Sequence, residues 1–217
     1  MNFNGLIRKT LVLLFVFVGL ILGIGFTLPN QFHVERTLVI DAPPATVFPY
    51  VNDLENWQRW DPWSQDDPRM VRTFTGGPGQ GQTQSWMSQA SGTGTLEILE
   101  STPLRSAKLK LTTRASSYPR FLSFKLVDLG EKTQLTWAID GENSMKPIGN
   151  YFGLGMNRYL GPMYEQGLSN LKSLVETGAL PELVEAKKKR AAEKAEELRK
   201  QAQPTTRGPS GLNGAPK

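Results

Sequence analysis

Cysteine is absent from the 217 residues, and histidine occurs once, at His33. A disulfide framework, a thiol nucleophile and Cys-ligated zinc or iron–sulfur sites are therefore excluded. A Ser-His-acid triad would have to recruit His33, at the mouth of the first strand and beside an apolar segment, where a surface role is the plainer reading. P-loop and dinucleotide-binding glycine patterns are also missing. The glycines of GGPGQG at 76–81 precede a strand-like run, so no helix N-terminus follows them to meet a phosphate, and turn chemistry accounts for the cluster. Neither a metal nor a cofactor is called for.

The formal charge of +5 is unevenly distributed. Residues 1–32 contribute +2 through Arg8 and Lys9, residues 33–180 carry 14 basic and 15 acidic side chains, and residues 181–217 carry 9 basic and 5 acidic ones. The central part is near neutral, so no field exists there to neutralise phosphates, and nucleic acid is not an expected partner.

What is present begins with Thr10 to Phe32, a run of 23 uncharged residues preceded by Arg8 and Lys9. About 20 apolar residues span a bilayer core as a helix, whereas a signal-peptide h-region is only about 7–15 residues long. Gly23-Ile24-Gly25 is a weak cleavage site, and the length favours an uncleaved anchor. Basic residues before the span predict a cytoplasmic N-terminus (residues 1–9), a transmembrane helix (10–32) and a domain on the far side.

Residues 33–180 are long enough for one core. His33 to Ile40 reads as a strand, ended by Pro43-Pro44. Thr46 to Val51 reads as a short helix, and Asn56 to Trp63 as a second one ending or kinking at Pro62. From Val71 to Asp140 the pattern has period two: Leu96 and Ile98 alternate with Glu97, and Leu135, Trp137 and Ile139 with Gln134, Thr136 and Ala138. Turn residues at Gly76-Gly77-Pro78, Ser91-Gly92, Thr102-Pro103, Tyr118-Pro119 and Gly130-Glu131 separate six strands, or five if Val71 to Phe74 is too short. A covering helix over Pro162 to Thr177 follows from Tyr164, Leu168, Leu171, Leu174 and Val175, with Gly178 as its stop. Ile148 to Leu160 reads as a separate short helix or loop. Its glycines 149, 153 and 155 are explained equally by mobility and by close packing. Residues 181–203 form a charged, solvated helix that offers a surface to a protein partner, and 204–217 a disordered tail.

VERTLVIDAPPATVFPYVNDLENWQRWDPW at 34–63 resembles the opening of the SRPBCC superfamily, the START-like helix-grip proteins that include polyketide cyclase-like and lipid-transfer members. GTGTLEILESTP (92–103), TQLTWAIDGE (133–142) and GPMYEQGLSNLKSLVE (161–176) resemble that family's central strands, last strand and C-terminal helix. The resemblance implies an α+β fold, an antiparallel sheet of about seven strands wrapped around a long C-terminal helix with an apolar cavity between them. Membrane-anchored members are familiar among bacterial proteins, which implies a single-pass protein of the bacterial inner membrane with an extracytoplasmic domain.

Carried across, the resemblance supplies a cavity wall and no catalytic centre. Leu122, Phe124 and Leu126 on one strand and Leu135, Trp137 and Ile139 on the next would face the helix; Phe152, Met156, Tyr159 and Met163 would line or gate the opening. For any one of them ordinary core is the plainer reading, since inward apolar alternation is needed for folding with or without a cavity. Trp57, Trp60 and Trp63 are expected to lock the short helices onto the sheet edge. Of the carboxylates, Glu97 points to solvent, Asp128 and Glu142 lie near strand ends, and none of these or Glu100 is singled out as a base. The expected function is non-catalytic binding or carriage of a hydrophobic small molecule or lipid at the membrane. The alternatives are a protein-interaction module and a cyclase- or dehydratase-like enzyme.

Overall fold

The computed structural model describes residues 3–67, 69–143, 145–181 and 189. A unit boundary falls between Leu180 and Pro181. The charged segment 181–203 and the tail 204–217 lie outside the described residues, apart from 181 and 189.

Helix α1 spans Phe3–Thr27. It starts earlier and stops earlier than the expected 10–32, because Pro29 bars its predecessor from helical geometry and Phe32 already belongs to strand β1, Gln31–Ile40. Its Ile7–Thr27 portion, mean hydropathy 2.6, is long and apolar enough by length and composition to cross a membrane.

Three short helices follow: α2 (Pro44–Asn52), α3 (Leu54–Trp57) and α4 (Pro62–Asp66). The single helix expected over 56–63 is divided. Asp53 accepts from Glu55 N at 3.0 Å to begin α3, and Asp61 accepts from Ser64 N at 2.8 Å to begin α4. With proline at the first position after Asp61, the earlier helix cannot continue and the new one starts pre-organised.

Strands β2 (Val71–Thr75), β3 (Thr83–Ser88), β4 (Gly92–Thr102), β5 (Ser106–Thr113), β6 (Arg120–Asp128) and β7 (Thr133–Glu142) then form an antiparallel meander. The sheet order is β1-β7-β6-β5-β4-β3-β2, seven strands, with β1 returning beside β7. The pairing of β4 with β5 shifts register between Ile98 and Glu100.

Helix α5 is continuous over Ile148–Thr177. The separate element expected over Ile148 to Leu160 is its N-terminal part, and Pro162, expected at a helix start, lies inside. Close seating explains the glycines better than mobility does. A Cβ on Gly167 would lie 2.7 Å from Trp137 Cζ3, one on Gly153 would meet the Asn143 amide at 2.5 Å, and one on Gly161 would strike the Arg36 guanidinium. Gly155 has open space around it. Gly178 ends the helix in the left-handed conformation, φ 73°, its N–H returning to Leu174 O.

Between sheet and helix the core is aromatic. Trp57 and Trp60 meet Phe124 and Trp137 edge-on, and Trp137 is stacked between Phe124 at 5.3 Å and Tyr164 at 4.0 Å. The tryptophans were expected at the sheet edge. They lie instead over the interior strands β6 and β7, because α3 and α4 turn under α5. Their indole donors are satisfied from α2: Trp57 Nε1 bonds Val51 O at 3.2 Å and Trp60 Nε1 bonds Tyr50 O at 3.0 Å.

Candidate binding face

Alternation divides the sheet into rows of inward-pointing residues, and these rows locate the site. One row, Arg36, Trp137, Phe124 and Ala107 across β1, β7, β6 and β5, runs under the middle of α5. Arg36 is fastened there, its Nε donating to Glu165 at 2.6 Å and its Nη1 to Asn157 at 3.0 Å. Leu122, Leu126, Leu135 and Ile139 point the same way, and with Phe124 and Trp137 they are buried.

Toward the end of the sheet nearest α1 the inner face is less evenly covered. There Phe32 pairs with Gly141, whose missing side chain leaves space filled by the Phe32 ring and the Arg120 stem. Arg120 is followed across the sheet by Leu111, Leu96, Gln84 and Phe74, and the next row outward carries Gly94, Trp86 and Arg72. Leu111, Phe74 and Trp86 are only half-buried, as are Trp63, Met156 and Met163 on the helical side. The reason lies in the cover: α5 packs chiefly on β1, so the strands farther across receive less of it. These six half-buried groups pack against the buried core and make up the candidate face.

Two of the residues expected at the opening are placed otherwise. Phe152 and Tyr159 project from the outer side of α5 and are exposed, whereas Met156 and Met163 rest against the core. The helix was oriented by its buried side, Asn150, Leu160 and Tyr164, which the glycine-rich spacing concealed.

The carboxylates weighed from the sequence stay peripheral: Glu100 pairs with Lys108 at 2.9 Å on the surface, and Asp128 and Glu142 end their strands. Sequence reasoning passed over Asp61, the buried one. Its oxygens accept from Ser64 N and Ser64 Oγ, and Arg72 Nη2 lies 3.9 Å away. Desolvation is the largest influence on its carboxyl and holds its pKa above the ordinary 3.8, against the opposing effects of Ser64 and Arg72. The Asp-Pro-x-Ser run at 61–64 was the available signal, an N-cap followed by proline. Burial likewise pushes the Tyr164 phenol well above its usual range. Among the described residues, buried donors without a partner include Gln65 Nε2, Arg72 Nε, Arg120 Nε and Trp137 Nε1. No group of three or more potential metal ligands occurs among the described residues.

Residues 31–176 match the family described as polyketide cyclase / dehydrase and lipid transport. Comparison with curated proteins gave no match. Among solved structures the chain is similar to the Zhui aromatase/cyclase from Streptomyces sp. R1128, at 16% identity and TM-score 0.51, covering 67% of this chain and 94% of that one. It is also similar to XoxI from Bacillus cereus, at 11% identity and TM-score 0.51, covering 67% and 96%. At these identities the likeness is one of fold.

Proposed function

The chain belongs to the polyketide cyclase / dehydrase and lipid transport family, and we propose that it binds or carries a hydrophobic small molecule or lipid on the inner face of its sheet, beside a membrane that α1 spans. The observation that carries this reading is the half-exposed apolar set Trp63, Phe74, Trp86, Leu111, Met156 and Met163 bordering a close-packed aromatic floor. Two indoles and several other apolar groups stay partly in water there, and an apolar surface with a few polar donors suits a ligand. Leu122, Phe124, Leu126, Leu135, Trp137 and Ile139 form the floor. Arg8 and Lys9, in the first turns of α1 ahead of its uncharged run, favour a cytoplasmic N-terminus and a domain on the far side, the arrangement of a single-pass bacterial inner-membrane protein.

A cyclase-like reading is favoured only by Asp61, the buried carboxyl with a raised pKa. Its two oxygens are already engaged by Ser64, so the residue reads as the cap of α4 rather than as a base waiting for substrate.

Purification of the full chain in mild detergent, followed by native mass spectrometry and solvent extraction, is expected to release a stoichiometric apolar molecule. A fluorescent fatty-acid analogue should also be taken up, and Leu111→Trp or Trp86→Ala should weaken its uptake. An empty protein that takes up no apolar probe overturns the proposal.

A further inference from the structure

The first three turns of α5 carry apolar side chains that nothing among the described residues covers. Ile148 is 51% exposed, Phe152 66% and Tyr159 69%, and Met145, just before the helix, is 67% exposed. At 3.6 residues per turn, Ile148, Phe152 and Tyr159 lie within about 40° of one another around the helix axis. They occupy the side away from buried Asn150, Leu160 and Tyr164. Lys146 and Arg158, both exposed, lie within the same stretch of sequence.

The same segment is fixed to the end of α1. Asn150, 2% exposed, donates through Nδ2 to Gly25 O at 2.9 Å and Leu28 O at 3.1 Å. Gly25 O would have bonded the amide of residue 29 in a longer helix, but Pro29 has no N–H, and Asn150 supplies the missing donor. The Tyr151 hydroxyl donates to Ile21 O at 2.5 Å. A Cβ on Gly25 would lie 2.8 Å from Pro147 Cβ and 2.9 Å from Tyr151 Cε2, so the contact admits no spacer. On the other side of the joint, Asn143 N and Nδ2 both bond Asn30 O, at 2.9 and 3.1 Å. The domain is therefore seated on α1 rather than hung from it by a leash.

That seating sets a depth. Ile21 lies six residues before Thr27, about 9 Å back along the helix, so Tyr151 reaches a level inside the apolar span. We propose that the outer face formed by Met145, Ile148, Phe152 and Tyr159 is embedded in the headgroup–acyl boundary of the phospholipid bilayer from which α1 emerges. The proposal rests on the reading of α1 as a membrane anchor.

The occupant is a bilayer because the patch is continuous with α1, whose own side chains from Leu11 to Phe26 are apolar and exposed. Interfacial helices bury an apolar face about 5–10 Å into this boundary and keep Lys and Arg at the phosphate level. Tyr159 supplies the aromatic group favoured at that level, and Lys146 and Arg158 the cations. Along α5 the residues Ile148, Phe152, Met156, Tyr159 and Met163 succeed one another at helical spacing, and both methionines pack on the core. Apolar side chains thus run from the lipid to the rim of the inner face, a route by which a lipid can pass without crossing water.

The absence of cysteine makes the test direct. Ile148→Cys, Phe152→Cys, Tyr159→Cys and the control Leu129→Cys, at the opposite end of β7, are each labelled with an environment-sensitive fluorophore in the full chain. The proteins are reconstituted in phosphatidylcholine–phosphatidylglycerol vesicles carrying nitroxide-labelled lipids. Labels at 148, 152 and 159 should be quenched several-fold more than the label at 129, and Phe152→Asp combined with Tyr159→Asp should reduce quenching at 148 while leaving the melting temperature unchanged. Flotation after alkaline extraction reads the anchor separately. Protein that floats with equal quenching at all four sites, or that cross-links to a second copy through position 152 with no lipid quenching, overturns the seated face and leaves the anchor standing. Protein that does not float overturns both.

Discussion

Alanine at Gly167 and alanine at Gly155 should have opposite effects although both lie in α5. Removing a glycine from a helix interior stabilises by about 0.5–1 kcal/mol through the unfolded chain and the helix itself. That gain is common to the two variants and cancels in their comparison. At position 155 the new methyl meets open space, so the gain should stand. At position 167 it would lie 2.7 Å from Trp137 Cζ3 and 3.2 Å from Pro62 Cδ. The indole of Trp137 is held between Phe124 and Tyr164 and has no free direction in which to withdraw. Overpacking a core of this kind costs about 1–3 kcal/mol, which is therefore the expected stability difference between the variants. For a domain of this size each kcal/mol moves the midpoint by about 2–4 °C, so Gly167→Ala should melt below Gly155→Ala by several degrees. The assay is thermal unfolding of the full chain in detergent, followed by near-ultraviolet circular dichroism, which reports the tryptophan cluster rather than the helicity of α1. If Gly167→Ala melts as high as Gly155→Ala, α5 is not seated on Trp137 and the account of its glycines fails.

Asn150→Ala should strip the donor from Gly25 O and Leu28 O, costing about 1–3 kcal/mol for the buried groups left unpaired, and limited proteolysis at residues 28–30 should accelerate; an unchanged cleavage rate would contradict the rigid joint. Asp61→Asn keeps a capping side chain but cannot ionise. Because burial raises the folded pKa of Asp61 above 3.8, its contribution is most favourable below that pH and is lost as pH rises through the folded value. The midpoint of Asp61→Asn relative to the parent should therefore rise from acid to neutral pH, and a relative midpoint that falls would show that the Arg72 pairing outweighs desolvation. Leu111→Trp should lower uptake of a fluorescent fatty-acid analogue several-fold while Lys108→Ala, on the outer face of the same strand, leaves it unchanged; equal effects would move the binding site elsewhere.

Much of the strand pattern was legible because period two is a local property. Leu135, Trp137 and Ile139 alternate with polar neighbours, and the inward row predicted for them is the one observed. The stop at Gly178 was legible for the same reason. The continuity of α5 was not. Gly149, Gly153, Gly155 and Pro162 each lower helix propensity, and only the nearness of Asn143 makes glycine the residue that fits at 149 and 153, as Arg36 and Trp137 do at 161 and 167. The three tryptophans have helical spacing, yet the caps at Asp53 and Asp61 leave Trp57 on α3, Trp63 on α4 and Trp60 in the turn between them, over β6 and β7.

The sequence by itself determined the α+β class, the apolar N-terminal helix, the inward residues of the strands and the lack of thiol chemistry, since each follows from composition or from contacts between near neighbours. The tertiary structure decided which inward residues are packed and which are left half-open, for that depends on which strands α5 lies across. It also decided that Phe152 and Tyr159 face outward and that Asp61 is buried. Those outcomes arise from contacts between residues more than a hundred positions apart, such as Asn150 with Gly25, which no local periodicity encodes.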